Sequence, residues 1–289
     1  QLLGVAAFML ALSAHAQDNP LWMRYCAISP DGTSIAFTYK GDIYTVPVNG
    51  GKAAQITTNA AHDTHPVWSP DGKQIAFASD RMGSMDIFVV DREGGIPKRL
   101  TTHSGNETPV AFKDADHILF LANVMPSAED AQFPSGQFQQ VYEVSTTGDR
   151  PVMFSSMPME DISINKTGNA LLYHDKKGYE DPWRKHHTSS ITRDIWLCSL
   201  DGKRSYRKLT SFNGEDRTPV WASDGKSFYY LSEEKGSFNV FKRALDGTSS
   251  TQLTHHTKHP VRFLTAADNG TLCYGYDGEI YTCLLYTSD

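Results

Sequence analysis

Ser69-Pro70-Asp71-Gly72-Lys73-Gln74-Ile75-Ala76-Phe77 is the stretch on which the fold turns, because the chain states it twice: Ser29-Pro30-Asp31-Gly32 leads into Ile35-Ala36-Phe37 in the same way. Asp-Gly joins a side chain that bonds its own backbone to a residue that tolerates positive φ, which is tight-turn chemistry, and the residues after it alternate in the manner of a strand. Working outward, Pro66-Val67-Trp68 precedes the turn. Asp86-Ile87-Phe88-Val89-Val90, Gly94-Gly95 and Arg99-Leu100-Thr101 follow it. One unit is therefore a meander of four antiparallel strands.

The unit recurs. Thr218-Pro219-Val220-Trp221, Asp224-Gly225, Phe228 to Leu231, Asn239-Val240-Phe241, Asp246-Gly247 and Gln252-Leu253-Thr254 reproduce it strongly. Two weaker copies lie between, around Pro109 to Val144 and around Ile162 to Leu197, and a sixth opens at Val261 and includes Glu279-Ile280-Tyr281. A lone four-stranded sheet has two faces to hide, whereas sheets of roughly 40 residues repeated about an axis bury them against one another. The sequence thus predicts an all-β protein, a six-bladed β-propeller of four-stranded antiparallel blades, its last blade incomplete and the strands that lead into the Ser-Pro-Asp-Gly turns innermost.

A chain of 289 residues fits a single all-β assembly, and a net charge of −6 with interspersed signs excludes the basic stripe of a nucleic-acid surface. Residues 1–16 read as a signal peptide that lacks its first residues: Leu2 to Leu12 is apolar but too short to span a bilayer, and Ser13-Ala14-His15-Ala16 has a small-x-small cleavage pattern. The expectation is an exported chain, periplasmic or extracellular, without a membrane span in its mature form. The propeller is assigned to 19–282. Cys283-Leu284-Leu285-Tyr286-Thr287-Ser288-Asp289 leaves the repeat and is expected to be a non-native tail, so that blade six lacks its outer strand; Asn19 to Trp22 is the unassigned segment available to fill that gap. Cys26, Cys198, Cys273 and Cys283 are scattered, so buried free thiols are expected, with Cys273 and Cys283 the pair that could meet across a hairpin.

In a meander, the second-to-third strand loops and the blade-to-blade connections share one face of the disc. Two of those loops are enlarged, Asn123 to Gln139 and Asp175 to Arg193. The second concentrates types that anchor interfaces and bind carboxylates, and Trp183, Arg184, Lys185, His186, His187 and Arg193 are the candidate interaction residues. Asp63, Glu107, Glu160, Asp161, Glu215 and Asp216, at the entrances of the innermost strands, are expected to give that face an acidic rim. His62, His65, His103, His255, His256 and His259 follow repeat position, so no metal site is assigned, nor any cofactor. The chain has no Gly-x-Ser-x-Gly elbow, His-Glu-x-x-His, phosphate loop or Cys-x-x-Cys, and no catalytic residue is assigned.

The repeat, with Ser-Pro-Asp-Gly-Lys, Ser79-Asp80-Arg81, Asp86-Ile87-Phe88 and Arg99-Leu100-Thr101, resembles the WD-like propeller repeats of tricorn proteases, TolB and prolyl-oligopeptidase-type peptidases. The segment Gly178 to Trp196 is similar to an insertion in exported tricorn-like serine peptidases, and the resemblance spans about Asn19 to Thr282. It implies an amino-terminal propeller followed by a second propeller, a PDZ domain and a peptidase core that holds the catalytic residues, within a parent expected to be homo-oligomeric. The implied role is non-catalytic: gating or passing peptide or unfolded-protein substrates and contacting the downstream domains. The alternative is a TolB-like periplasmic binding propeller without peptidase activity, and a prolyl-oligopeptidase-type enzyme is third.

Overall fold

The computed structural model describes residues 21–123, 138–178, 183 and 191–284. Among them the strands form six antiparallel sheets, five of four strands and one of three, and within every sheet the strands lie in chain order. The first strands of the sheets are Arg24–Ile28, Asp63–Trp68, Glu107–Phe112, Met159–Ile164, Asp216–Trp221 and Arg262–Ala266. Each touches the next around a ring, and the sixth touches the first. This is the six-bladed propeller expected from the repeat, with those strands around the axis.

The repeated residues have identifiable jobs. In the first turn Gly32 N donates to Ser29 O at 2.8 Å, Ser29 Oγ donates to Asp31 Oδ1 at 2.5 Å and Thr33 N donates to Asp31 Oδ1 at 3.0 Å. The second turn repeats this set at Ser69, Asp71 and Gly72. Gly32 and Gly72 sit at φ of 70° and 68°, where a side chain would be strained. The distant Asp-Ile and Leu-Thr motifs are also one device: Thr57, Thr101, Thr210 and Thr254 each accept, through the hydroxyl, the backbone N–H of Ile43, Ile87, Ile195 or Val240. The short outer strand is thereby pinned to the third.

Blades adhere through apolar faces. Ala36, Ile43 and Ile56 of blade one pack with Trp68, Ile75, Phe77 and Phe88 of blade two. The Trp of Pro-Val-Trp adds a directional bond: Trp68 Nε1 donates to Ala27 O and Trp221 Nε1 to Ser163 O, both at 2.9 Å, each linking a blade to the one before it.

Every innermost strand carries a register irregularity against its neighbour. In five of them a non-glycine residue at the irregularity takes the left-handed conformation: Tyr25, His65, Asp161, Thr218 and Phe263, at φ between 49° and 56°. In blade three the corresponding place is Pro109, whose ring holds φ near −65° and forbids that conformation. There the irregularity falls one residue later, at Val110.

Blade six consists of Arg262–Ala266, Thr271–Tyr276 and Glu279–Leu284. Its last strand runs through Cys283 and Leu284, two residues into the segment read as a tail. Met23 N donates to Gly278 O at 3.1 Å, so the amino-terminal segment meets the turn of this hairpin, not its open edge. Residues 1–16 lie outside the described residues.

Candidate functional site at the axial mouth

On the face of the second-to-third strand loops, a cavity of about 260 Å³ opens at the axis. Four of the five left-handed residues, Tyr25, His65, Thr218 and Phe263, line it together with Arg217, Arg262 and Trp183. The bulges aim these side chains inward, and their rings pack between neighbouring blades: Tyr25 lies 3.7 Å from His65 and 4.9 Å from Phe263, centroid to centroid.

Trp183, from the enlarged loop of blade four, sits over this mouth between two guanidinium groups. Arg24 Cζ is 4.9 Å and Arg262 Cζ 4.8 Å from its ring centroid, and Arg262 Nη2 donates to Trp183 O at 3.1 Å. Arg24 lies also 5.9 Å from the ring of Trp22. Both tryptophans remain exposed, Trp22 at 70% and Trp183 at 41%. Two exposed indoles interleaved with two arginines form a surface of the composition that dominates protein and peptide interfaces.

Beneath it runs a buried ion-pair chain. Arg193 Nη1 is 3.0 Å and Arg217 Nη1 3.5 Å from Glu215 Oε1, while Arg193 Nε is 3.4 Å from Glu160 Oε2. Glu160 also holds His174 at 3.2 Å and Lys176 at 2.7 Å. Burial alone would raise the Glu160 carboxyl, but the hydrogen bond and charge of His174, with Lys176, outweigh it and hold it well below its ordinary range. Burial lowers Arg217 to about 10, against the pull of Glu215 and with the repulsion of Arg262 and Arg193. It lowers His65 to about 4, leaving that ring neutral at pH 7.

Of the six carboxylates expected to form an acidic rim, Asp161 alone is exposed, accepting from the Thr218 hydroxyl at 2.6 Å, and Glu160 is half-buried. Asp63, Glu107, Glu215 and Asp216 are buried. Arg81 Nη2 grips both oxygens of Asp63 at 3.0 and 2.9 Å, and the Thr101 hydroxyl donates to Glu107. A carboxylate next to an innermost strand is recruited inward because the blade interior offers it donors. The charged groups left around the mouth include Asp161 and the guanidinium of Arg24, both exposed, and that of Arg262, half-buried. Of the candidate interaction residues, Trp183 is at the mouth. Arg193 is buried against Glu215 and Glu160, and Arg184, Lys185, His186 and His187 lie outside the described residues, as does the 124–137 part of the other enlarged loop. Sequence reasoning overlooked Arg24, Tyr25, Arg217, Arg262 and Phe263. Their signal was present: aligned by repeat, Arg24-Tyr25, Thr64-His65, Glu160-Asp161, Arg217-Thr218 and Arg262-Phe263 are one position in five blades. Among the described residues no group of three or more His, Cys, Asp or Glu is placed to hold a metal ion.

Fold and axial mouth together define a six-bladed β-propeller whose axial opening is lined by aromatic rings and arginines. Residues 20–288 match the tricorn protease N-terminal beta propeller domain, and the chain belongs to this family. It is 25% identical over 263 residues to tricorn protease homolog 1 of Streptomyces coelicolor, covering 91% of this chain and 23% of that protein. It is 24% identical over 272 residues to the tricorn protease of Thermoplasma acidophilum, covering 90% and 24%. The chain thus spans about a quarter of the length of these relatives. An uncharacterized protein of Agrobacterium fabrum is 34% identical over 216 residues, with 71% of this chain and 68% of that protein covered. Among solved structures, the crystal structure of the tricorn protease superposes with a TM-score of 0.72 at 20% identity over 91% of this chain and 25% of that one. TolB from Acinetobacter baumannii follows with 0.61 at 16% over 89% and 64%.

Proposed function

We propose that this chain is the non-catalytic N-terminal propeller of a tricorn-like serine peptidase, passing or gating peptides at its axial mouth and docking downstream domains on the same face. The observation that carries this reading is the pairing of Trp22 and Trp183 with Arg24 and Arg262 around an axial cavity. Guanidiniums suit the carboxylates of peptides, and exposed indoles suit side chains of any sequence. Tyr25, His65 and Phe263 form a constriction that a passing chain has to displace. An exported, periplasmic or extracellular location belongs to the same proposal, as do a homo-oligomeric parent and peptide or unfolded-protein substrates.

The test is Trp183→Ala with Arg262→Ala in a full-length tricorn-like protein carrying this propeller, read by size-exclusion and by peptide turnover. Turnover or assembly is expected to fall at least several-fold while the circular dichroism of the fold is unchanged. Wild-type values of both would return the mouth to a structural role. The propeller by itself is expected to leave unstructured peptides uncleaved, since its residues assemble no nucleophile with a base. Cleavage that co-purifies with the protein would refute that. The TolB-like alternative draws support from the fold match to TolB and from the Agrobacterium relative, two thirds of whose length this chain covers. It requires a full-length protein that hydrolyses no peptide.

A further inference from the structure

Among the described residues no strand is exchanged across the seam between blades six and one, and two cysteines meet there. Cys26 is in the innermost strand of blade one and Cys273 in the second strand of blade six, 2% and 0% exposed. Both belong to one buried cluster with Ile28, Ile35, Phe37 and Ala267. Their strands lie in different sheets but are held side by side: Cys26 Sγ donates to Phe263 O at 3.5 Å and Ile28 N donates to Thr265 Oγ1 at 3.1 Å. Thr265 is the residue opposite Cys273 in the antiparallel pair. The two thiols are thus neighbours in one buried cluster on adjoining strands, and the Cys273 side chain acts directly on the Cys26 thiol. No other sulfur competes. Cys283 faces Leu272 and Cys273 faces Thr282, which puts Cys273 and Cys283 on opposite sides of the sheet, and Cys198 is in the cluster of blades three and four. The pairing across the hairpin considered from sequence is thereby replaced by one across the seam.

We propose that Cys26 and Cys273 are a dithiol whose oxidation to a disulfide staples blade six to blade one. The co-reactant is a disulfide-bearing oxidant. One cysteine gives its proton to solvent and attacks a sulfur of the oxidant, expelling the first oxidant thiolate and leaving a mixed disulfide. The other, likewise deprotonated, attacks the protein sulfur of that mixed disulfide and expels the second thiolate. Two protein thiols are oxidised and one disulfide is reduced. The hydrogen bond to Cys273 and burial push the Cys26 thiol well above its ordinary range, so the closed ring reacts slowly and the exchange belongs to moments when the seam is open. Once formed, the bond encloses nearly the whole propeller in one covalent loop and restricts the unfolded chain accordingly.

The test refolds the full chain in a glutathione redox buffer, alkylates free thiols and maps the tryptic peptides by tandem mass spectrometry, whose fragment ions tell Cys273 from Cys283 on the single peptide that carries both. The expected result is that two of the four thiols disappear, the lost pair is recovered as one peptide joining Cys26 to Cys273, and the urea midpoint rises relative to dithiothreitol-treated protein. Cys26→Ala and Cys273→Ala should each keep all three remaining thiols free. A Cys198→Ala, Cys283→Ala variant should lose both of its thiols; the wild-type peptide map decides the matter should that variant not fold. Four free thiols, separate glutathione adducts on Cys26 and Cys273, a cross-link to Cys198 or Cys283, or an unchanged midpoint on oxidation would each overturn the proposal.

Discussion

The seam between blades one and two and the seam between blades six and one bring the same kind of surfaces together by different means. At the first, the chain runs straight from one blade into the next, Trp68 reaches back to Ala27 O, and Arg92 reaches Asp31 at 3.2 Å and Ser34 at 2.7 Å. At the second there is no connecting segment, and blade one's residue at the Trp68 place is Ile28, which has no ring N–H to reach back to blade six. What holds it is backbone contact, Asp268 N to Pro30 O at 2.9 Å and Met23 N to Gly278 O at 3.1 Å, over an apolar cluster that includes the two thiols. Where the chain supplies proximity, side-chain locks are added to it, whereas among the described residues the closing seam is held by hydrogen bonds and apolar contact without a covalent connection.

The largest effect separating the seams is expected from Trp68→Ala. It removes a buried aromatic and leaves Ala27 O without its donor, a loss of about 3–5 kcal/mol in urea unfolding. Trp221→Ala, at the same place between blades four and five but only half buried, should cost about 2–3 kcal/mol. Equal losses at the two would mean that burial does not set the strength of this tether. Gly32→Ala and Gly72→Ala sharpen the contrast further. Both place a Cβ at the same positive φ, a strain of about 1 kcal/mol. At Gly72 the nearest atom is 3.8 Å away, but at Gly32 the new Cβ lies 2.4 Å from Asn269 Nδ2 of blade six. Moving Asn269 forfeits the bond from Thr271 N to its Oδ1, so Gly32→Ala should be the worse by about 1 kcal/mol. Matching midpoints for the two would show that the closing seam yields freely.

The smallest effect is a slope with pH at the seam of blades two and three. Burial raises Glu107 from 4.5 to about 7, opposed by the Thr101 hydroxyl and aided by Asp86. Between those values the folded chain retains a proton that the unfolded chain has released, so this contribution is complete below about pH 4.5 and lost as pH climbs through 7. Glu107→Gln, which keeps an acceptor for Thr101, should remove that fall: the wild-type midpoint should drop relative to the variant between pH 4.5 and 7. Parallel profiles would mean that Glu107 is ionised throughout.

The blades were legible because turns and strands are local chemistry, stated most clearly in blades one, two and five with Asp-Gly and alternating apolar residues. The inward fate of Asp63 and Glu107 was not, since an acidic residue beside a strand looks the same whether solvent or Arg81 awaits it. Nor was the partner of Cys273: sequence distance favours Cys283, ten positions away, whereas strand register puts Cys283 on the wrong side and ring closure delivers Cys26. Trp183 was found by residue type. Arg24 and Arg262, which frame it, become visible only when the repeats are superposed.

Tyr25, His65, Asp161, Thr218 and Phe263 hold a backbone conformation that glycine or asparagine would adopt more cheaply, and Thr is branched at Cβ, the worst choice for it. Five blades therefore carry a side chain where the backbone argues for none. Sitting within bulges, these positions stand outside the alternation that assigns every other residue of their strands to one face or the other. Their identities can drift, Tyr to His to Asp, without shifting a neighbour into or out of the core. The propeller thus keeps an editable lining on a fixed frame, and relatives should differ most along the axis where their sheets differ least.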